Sequence, residues 1–227
     1  MAYKLNIGCF NNTVEGWINV DITPHAFIAK YPILRELLFR LKILTPERYR
    51  EHLERKFNNI LRHDVRKGLP FPSHRCIYIY SSHFIEHLFH FEVVNFFEEC
   101  YRVLSKGGLV RTVVPDFFSY VQIYSAFRRV RIESLEPENY LNDYKLLKEL
   151  SSFLLPFFGN AYAKDKKELS KCGHKSLWDA ITLAYVLKNA GFSNLRMCSF
   201  REGTLPDLEM LETRASGSIY VEAEKQK

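Results

Sequence analysis

Two acidic residues in the first third of the chain have the chemistry to bind a nucleoside. Asp21 closes an apolar run that begins at Trp17, and Asp64 closes a second such run. A carboxylate in this position can accept hydrogen bonds from both hydroxyls of a ribose, or one from an exocyclic amine such as adenine N6. Asp21 could instead be a turn or N-cap residue before Pro24, and Asp64 could cap the loop that follows it.

Small and polar residues follow three further apolar runs. Gly8 comes after the first of them and lets the backbone turn sharply, so that a ligand can approach the main chain closely. Ser81, Ser82 and His83 follow another run, and Asp116 follows a later one. The glycine and the two acids together indicate a nucleoside-shaped site.

The segments that must position these residues alternate between strand and helix patterns. Runs rich in apolar and β-branched residues predict strands near 4–7, 17–22, 58–65, 76–80, 109–114, 195–200 and 218–222. Helical spacing predicts helices near 27–44, from 45 onward, and at 91–104 and 176–190. This alternation predicts an α/β fold with a mainly parallel seven-stranded sheet and helices on both faces. Ligands of such sheets bind outside the carboxyl ends of the strands.

The length of 227 residues suits one domain, spanning 1–227, with two insertions. A helical insertion is predicted at about 27–57. An aromatic-rich segment at about 117–173 interrupts the alternation and is interpreted as a cap that covers the substrate. The content of 47% hydrophobic and 26% charged residues lies in the ordinary globular range and argues against disorder.

Charge and cysteine content bear on partners and location. The formal net charge of +6 comes from basic residues spread among acidic ones, so no nucleic-acid partner is predicted. The five cysteines have no CxxC or His-flanked spacing, which argues against a disulfide framework and a structural zinc site, and no metal is predicted. With no signal-peptide pattern and no apolar run that could span a bilayer, we expect a cytoplasmic protein.

Ordered motifs along most of the chain resemble those of a known family. LNIGC at 5–9 is followed by GWINVDI at 16–22 and HDVR at 63–66. Downstream, SHFIEHL at 82–88 and ECYRVLSKGG at 99–108 resemble the EHL and RVLKPGG signatures of the predicted class I S-adenosylmethionine-dependent methyltransferases of the type 11 group. The resemblance implies a Rossmann-like fold and methyl transfer from S-adenosylmethionine, with S-adenosylhomocysteine as product.

The resemblance also implies which residues hold the cofactor. Gly8 and its neighbours would face the methionine part, Asp21 the ribose, and Asp64 the adenine. The serines after the fourth strand would line the methyl-donor side. The full implied set is Asn6, Gly8, Cys9, Phe10, Asp21, Ile22, Asp64, Val65, Ser81 and Ser82.

Methyl transfer is an in-line displacement, so the protein must mainly align donor and acceptor and exclude water. A base is needed only for hydroxyl or ammonium acceptors. His83 is the first candidate for that base, followed by Asp116 and His174. His83 could instead be a pocket-lining or capped histidine, and Glu86 with His87 is interpreted as packing and capping at a helix start. A small-molecule, sugar or lipid-like acceptor is predicted.

The loop after the first strand departs from the family pattern. The usual glycine two positions after Gly8 is Phe10, whose side chain could crowd the cofactor, and an acid often found in the first strand is Asn6. These departures favour an alternative function, a noncatalytic methyltransferase-fold protein in binding or assembly. A nicotinamide-dependent oxidoreductase is disfavoured because the loop lacks the GxGxxG spacing.

Overall fold

A seven-stranded sheet forms the centre of the molecule. The computed structural model describes residues 2–119, 121–122, 125, 174–215 and 217–226, so most of the predicted cap at 117–173 lies outside the described residues. The strands are β1 Tyr3–Ile7, β2 Ile18–Asp21, β3 Ile60–Arg62, β4 Cys76–Ser82, β5 Leu104–Pro115, β6 Phe192–Cys198 and β7 Ser218–Lys225.

The strand order is β3-β2-β1-β4-β5-β7-β6. The pairs from β3 through to β5 are all parallel, whereas β7 is antiparallel to both β5 and β6. The predicted mainly parallel α/β sheet is therefore confirmed. Because β1 has β2 on one side and β4 on the other, the direction of winding reverses between β1 and β4. A crevice for a ligand opens at the carboxyl ends of strands at such a reversal.

Helices connect the strands. Three lie between β2 and β3, namely α1 His25–Ile28, α2 Pro32–Arg40 and α3 Pro46–Leu53. Helix α4 is His90–Val103, α5 is Ala180–Asn189, α6 is Leu208–Leu211, and short 3₁₀ helices cover Val65–Lys67 and Ile85–His87. Within the described ranges, no helix has the length and apolar character needed to cross a membrane.

The two faces of the sheet are covered by different segments. Helix α4 buries five apolar residues at helical spacing and packs with α5 on one face. On the other face, Leu205, Leu208 and Leu211 cover Tyr80 and Val113. Neighbouring residues of a strand point to opposite faces, so the central strands are buried on both sides, as parallel strands are.

Several local predictions differ from the structure. The helix expected over 27–44 is divided into α1 and α2, and β6 begins at Phe192 rather than at 195. Strand β3 is shorter than 58–65 because Asp64 instead caps the first 3₁₀ helix, with Oδ1 accepting from Arg66 N at 3.1 Å. Strand β5 begins directly after α4 rather than at 109. The capping residue of α5 is Asp179, whose Oδ1 accepts from Thr182 N at 2.7 Å, so the capping pair lies three residues later than the predicted box at 176–179.

A buried ion cluster attaches the segment at 199–212 to the sheet. Arg111 of β5 is fully buried and donates to Glu212 Oε1 at 2.6 Å and to Glu222 Oε1 at 3.1 Å. Two more of its guanidinium hydrogens reach the carbonyls of Glu202 and Ser199 at 3.0 and 2.9 Å. Every charge in this cluster is therefore paired.

Candidate functional site

Two adjoining cavities lie at the carboxyl ends of β1, β2 and β4. The larger has a volume of about 480 Å³ and the smaller about 140 Å³. Both are lined by Gly8, Phe10, His83 and Arg214, so these residues mark the junction of one cleft. A volume of this size suits a ligand of nucleoside size or larger.

Nearly all of the predicted cofactor residues lie along this cleft. Ser81 is the exception among them, since its side chain is buried beside Thr112, with 3.3 Å between the two hydroxyl oxygens. The larger cavity is lined by Gly8, Phe10, Asp21, Ile22, Asp64 and Val65, and the smaller by Asn6, Gly8, Cys9, Phe10 and Ser82. The sheet thus brings together residues that are separated by up to 76 positions in the chain.

The carboxylate of Asp21 connects the loop after β1 with the turn after β2. Its Oδ2 accepts a hydrogen bond from Phe10 N at 2.9 Å, and its Oδ1 accepts one from Thr23 N at 2.7 Å. Each carboxylate oxygen can accept a further hydrogen bond. Asp21 is therefore oriented by the backbone and retains acceptor capacity for the hydroxyls of a ligand in the larger cavity.

The loop after β1 keeps the left-handed backbone that glycines would adopt. Gly8 has φ +71° and Phe10 has φ +46°. The Phe10 ring packs edge-on against Phe57 with 5.7 Å between ring centroids, and the Arg48 guanidinium lies 4.7 Å from its centroid. These contacts hold the ring toward the helices between β2 and β3, where Cys9, Ala26, Phe57 and Ile60 form a small core. The strain of a left-handed non-glycine residue, about 1–2 kcal/mol, is offset by this packing.

A buried amide pair fixes the far side of the same loop. Asn6 uses both hydrogens of Nδ2, one on the Asn12 carbonyl and one on Asn19 Oδ1, each at 2.9 Å. Asn19 in turn accepts from Val14 N at 2.9 Å and donates to the carbonyls of Val14 and Trp17. Since the donors of Asn6 are used, only its carbonyl oxygen remains for a ligand, and that atom is the type an ammonium group needs.

Asp64 has a basic partner that the sequence interpretation did not include. Arg66 donates to both carboxylate oxygens of Asp64, with Nε at 2.8 Å and Nη2 at 2.7 Å. The hydrogen bonds from Arg66 lower the pKa of Asp64 to about 2. The acid is therefore ionised at neutral pH and stays an acceptor at the wall of the larger cavity.

His83 lies at the junction of the cavities and has φ +47°. Its Nε2 hydrogen-bonds Ser218 Oγ at 3.1 Å, and its Nδ1 lies 3.5 Å from Glu86 Oε1. Glu86 is 2% exposed, and neither of its carboxylate oxygens accepts a hydrogen bond from any residue that the structure describes. The imidazole is therefore held between a hydroxyl and a buried carboxylate.

The segment that contains His174 reaches the same place from the far end of the chain. Lys175 N and Ser176 N donate to the Glu86 carbonyl at 2.7 and 3.2 Å. This puts His174 against His87, with ring centroids 5.1 Å apart. Burial lowers the pKa of His174, which favours the neutral imidazole. The predicted bases His83 and His174 thus lie in one cluster.

The carboxylate of the third predicted base, Asp116, is used in local hydrogen bonds. Its Oδ1 accepts from Phe118 N at 3.1 Å, and its Oδ2 accepts from the Ser119 hydroxyl. It lines a separate cavity with Phe118, Asp179 and Tyr220 and is absent from the described lining of the cleft. The carboxylate thus stabilises the start of the segment after β5.

Three basic residues of the larger cavity were missed by the sequence interpretation. They are Arg66, Lys175 and Arg214. Arg66 follows Asp64 directly and lies in a quoted motif, so its position could have been noticed. Lys175 and Arg214 lie outside every predicted strand end, and only the tertiary fold brings them to the cleft.

Proteins that resemble this chain include methyltransferases. Residues 43–112 match the family model described as a methyltransferase domain. A solved S-adenosylmethionine-dependent methyltransferase from Archaeoglobus fulgidus shares 16% identity at a TM-score of 0.51, over 99% of this chain and 86% of the other. A Thermotoga maritima methyltransferase described as a possible histamine N-methyltransferase shares 13% at a TM-score of 0.49, over 100% and 83%.

The chain spans less of some other matched structures. It covers 63% of a possible exported protein from Bordetella parapertussis, at 14% identity and a TM-score of 0.49 over the whole of this chain. No curated protein sequence matches the chain.

The strand order, the crevice between β1 and β4, and the Archaeoglobus fulgidus structure define a Rossmann-like methyltransferase fold. Together with the match over residues 43–112, this fold supports a class I S-adenosylmethionine-dependent methyltransferase, an enzyme whose cofactor is S-adenosylmethionine. The fold expected from the motifs is thereby confirmed, and the match over residues 43–112 supports the expected family and cofactor.

Proposed function

We propose that the chain transfers a methyl group from S-adenosylmethionine to a small-molecule, sugar or lipid-like acceptor at the His83 end of the cleft. The observation that supports this most directly is the pair of joined cavities, with an oriented acid in one and His83 at their junction. When bound, the cofactor supplies an electrophilic methyl group on a sulfonium. The acceptor class and a cytoplasmic location are predictions from the sequence.

The residues along the cleft suit the parts of the cofactor. Asp21 would accept hydrogen bonds from the ribose hydroxyls, and Asp64 with Val65 would contact the adenine. The amino-acid part would lie in the smaller cavity, where Asn6 offers its carbonyl oxygen to the ammonium group and Arg214 offers a cation to the carboxylate.

His83 would remove the acceptor proton when the acceptor is a hydroxyl or an ammonium group. Its position at the junction places it beside both cavities. The buried Glu86 carboxylate lies 3.5 Å from Nδ1 of the imidazole that would take the proton. With a thiol or carbanion acceptor, His83 would only line the pocket.

One observation favours the noncatalytic alternative. A Cβ added at Gly8 would lie 2.5–2.7 Å from three atoms of the Phe84 side chain, so Phe84 packs directly on the loop where the methionine part would approach. A second large side chain, Phe10, occupies the position of the usual family glycine. If neither ring moves, the fold would bind a partner rather than react.

A calorimetric titration with S-adenosylmethionine and S-adenosylhomocysteine distinguishes methyl transfer from the noncatalytic alternative. We expect binding in the micromolar range that Asp21→Ala weakens by about 10- to 100-fold, because charge-assisted hydrogen bonds are lost. Glu15→Ala, an exposed acid before β2, is the matched control and should bind normally. Binding that appears only in Phe10→Gly would favour the noncatalytic function and contradict our proposal.

A further inference from the structure

The strongest unexplained feature of the molecule is the carboxylate of Glu86. A buried carboxylate is costly unless it is hydrogen-bonded, paired with a charge or bound to a metal. Glu86 is 2% exposed, and its two oxygens receive no hydrogen bond within the described part of the chain. Among the described residues, the nitrogen nearest to this carboxylate in an ion-pair geometry is His83 Nδ1 at 3.5 Å, which is longer than a charge-assisted hydrogen bond.

Two imidazoles lie next to this carboxylate. One potential ligand atom each from Glu86, His87 and His174 can be chosen so that all three lie within 4.8 Å of one another. His87 Nδ1 is buried and makes no hydrogen bond to any described residue. Ligand atoms 2.0–2.1 Å from a tetrahedral ion are about 3.4 Å apart, so small side-chain rotations would complete such a set.

We propose that Glu86, His87 and His174 bind a divalent transition-metal ion, with Zn²⁺ as the first candidate. Two imidazoles and one carboxylate form the ligand set of many catalytic zinc sites and of non-haem Fe²⁺ sites, and three protein ligands leave a coordination position open. The site lies in the wall of the cofactor cleft, because His87 lines the larger cavity and His83 contacts Glu86.

The backbone holds the three ligands in place without the metal. Glu86 and His87 belong to the 3₁₀ helix Ile85–His87 at the end of β4. The 174–176 segment is fixed to this helix by the two backbone hydrogen bonds to the Glu86 carbonyl, and Ser176 Oγ also donates to the Ile85 carbonyl at 3.2 Å. A site assembled by main-chain contacts of this kind is preorganised.

The open position suggests what the ion would do. Placed beside the cleft, a bound metal could hold an oxygen of the acceptor and lower the pKa of its hydroxyl. This consequence rests on the proposed methyl transfer, whereas the metal site itself does not. His174 would then act as a ligand instead of the base considered from the sequence.

Metal binding can be measured on the full chain without any acceptor. Protein treated with a chelator would be titrated with ZnCl₂ by calorimetry and with CoCl₂ by visible absorbance. We expect one equivalent of each ion, a d–d absorption band for Co²⁺, and a Zn²⁺-dependent rise in melting temperature. Absence of stoichiometric binding to the folded wild-type protein would overturn the proposal.

Variants test which residues are the ligands. Glu86→Gln, His87→Gln and His174→Gln should each weaken Zn²⁺ binding at least about 100-fold and abolish the Co²⁺ band. His90→Gln, an exposed histidine three residues after His87, is the matched control and should bind like the wild type. Equal binding by Glu86→Gln, or equal loss in His90→Gln, would show that the ion binds elsewhere and overturn the assignment.

Cofactor binding is measured on the same samples, so the two proposals can fail separately. If the protein binds Zn²⁺ but not S-adenosylmethionine, the metal site holds and the methyltransferase proposal fails. If it binds S-adenosylmethionine but not Zn²⁺, only the metal site is refuted. Circular dichroism of each variant establishes that it is folded.

Discussion

Two buried carboxylate clusters in this molecule are built in opposite ways. Around Arg111, two carboxylates and two carbonyls accept four of the five guanidinium hydrogens, and Glu222 also accepts from Thr204 N and Leu205 N at 2.9–3.0 Å. Around Glu86, three imidazoles surround one carboxylate that accepts no hydrogen bond from the residues described. The first cluster is electrostatically complete, and the second is not.

The difference indicates what each cluster is for. A complete ion cluster attaches one segment to another and needs no further component. A carboxylate that is buried without donors stays in a fold only where something else requires it, and such violations concentrate at functional sites. The incomplete cluster is also the one that borders the cofactor cleft. The comparison therefore assigns Arg111 to stability and Glu86 to function.

The largest expected effect comes from breaking the complete cluster. Arg111→Met leaves Glu212 and Glu222 buried without their cation, so we expect the free energy of unfolding to fall by about 3–5 kcal/mol. Urea unfolding followed by circular dichroism measures this. Arg196→Met is the control, because Arg196 contacts Glu222 only at 3.4 Å and is 54% exposed, and it should cost about 0–1 kcal/mol. Equal losses in the two variants would contradict the role of burial.

The hydrogen-bonded pair of Asn6 and Asn19 also supports the cleft, and breaking it should cause an intermediate loss of stability. Asn19→Ala leaves Val14 N and Asn6 Nδ2 without their acceptor, which should lower the free energy of unfolding by about 1–3 kcal/mol. Binding of S-adenosylmethionine should weaken as well, because the loop that follows β1 loses its anchor. Asn59→Ala, an exposed amide, is the control. Normal stability and binding in Asn19→Ala would show that the network does not support the loop.

Removing the charge from the Glu86 cluster should change the free energy of unfolding in the opposite direction. In metal-free protein, Glu86→Gln replaces a buried carboxylate without donors by a neutral amide of the same shape, so the free energy of unfolding should rise by about 1 kcal/mol. The same urea experiment measures it. Glu98→Gln, an exposed acid on α4, is the control and should change little. A clear loss of stability in Glu86→Gln would mean that the carboxylate stabilises the fold, as those around Arg111 do.

The sequence predicted the parts of the site that depend on strand ends. Gly8 and His83 each follow a strand, and Asp21 is the last residue of one. Parallel strands bring their carboxyl ends to one edge, so the meeting of these residues follows from the topology. Asp116 satisfied the same rule, yet its carboxylate caps the next segment. An acid that lines the cleft and an acid that caps the next segment look the same in sequence. Only the fold of the neighbouring backbone decides which donors the carboxylate meets.

The Glu86 cluster could not be predicted in this way. In the sequence, Glu86 and His87 resemble residues that cap or pack a helix start, and they were interpreted so. Their relation to His174 arises from the hydrogen bonds that Lys175 and Ser176 make with the Glu86 carbonyl, which no local pattern encodes. The cysteine spacing bears only on thiolate ligands and carries no information about imidazole and carboxylate ligands.

The smallest expected effect is a change in the pH dependence of stability, and it comes from a pair of neighbouring histidines. His25 Nδ1 and His52 Nε2 lie 3.0 Å apart between α1 and α3, with no carboxylate between them. Burial and the neighbouring His25 imidazole lower the pKa of His52 to about 4, whereas an unfolded histidine titrates near 6.5. Between these values the unfolded chain binds more protons, so stability should fall as the pH drops from about 6.5 to about 4.

Removing one member of the pair should flatten that part of the profile. Urea unfolding of His52→Gln at several pH values between 4 and 7 should show a smaller slope than the wild type, and the exposed His90→Gln should keep the wild-type slope. An unchanged slope in His52→Gln would mean that the acid sensitivity comes from other groups. A flattened slope would show that the buried His25–His52 pair sets this part of the pH profile.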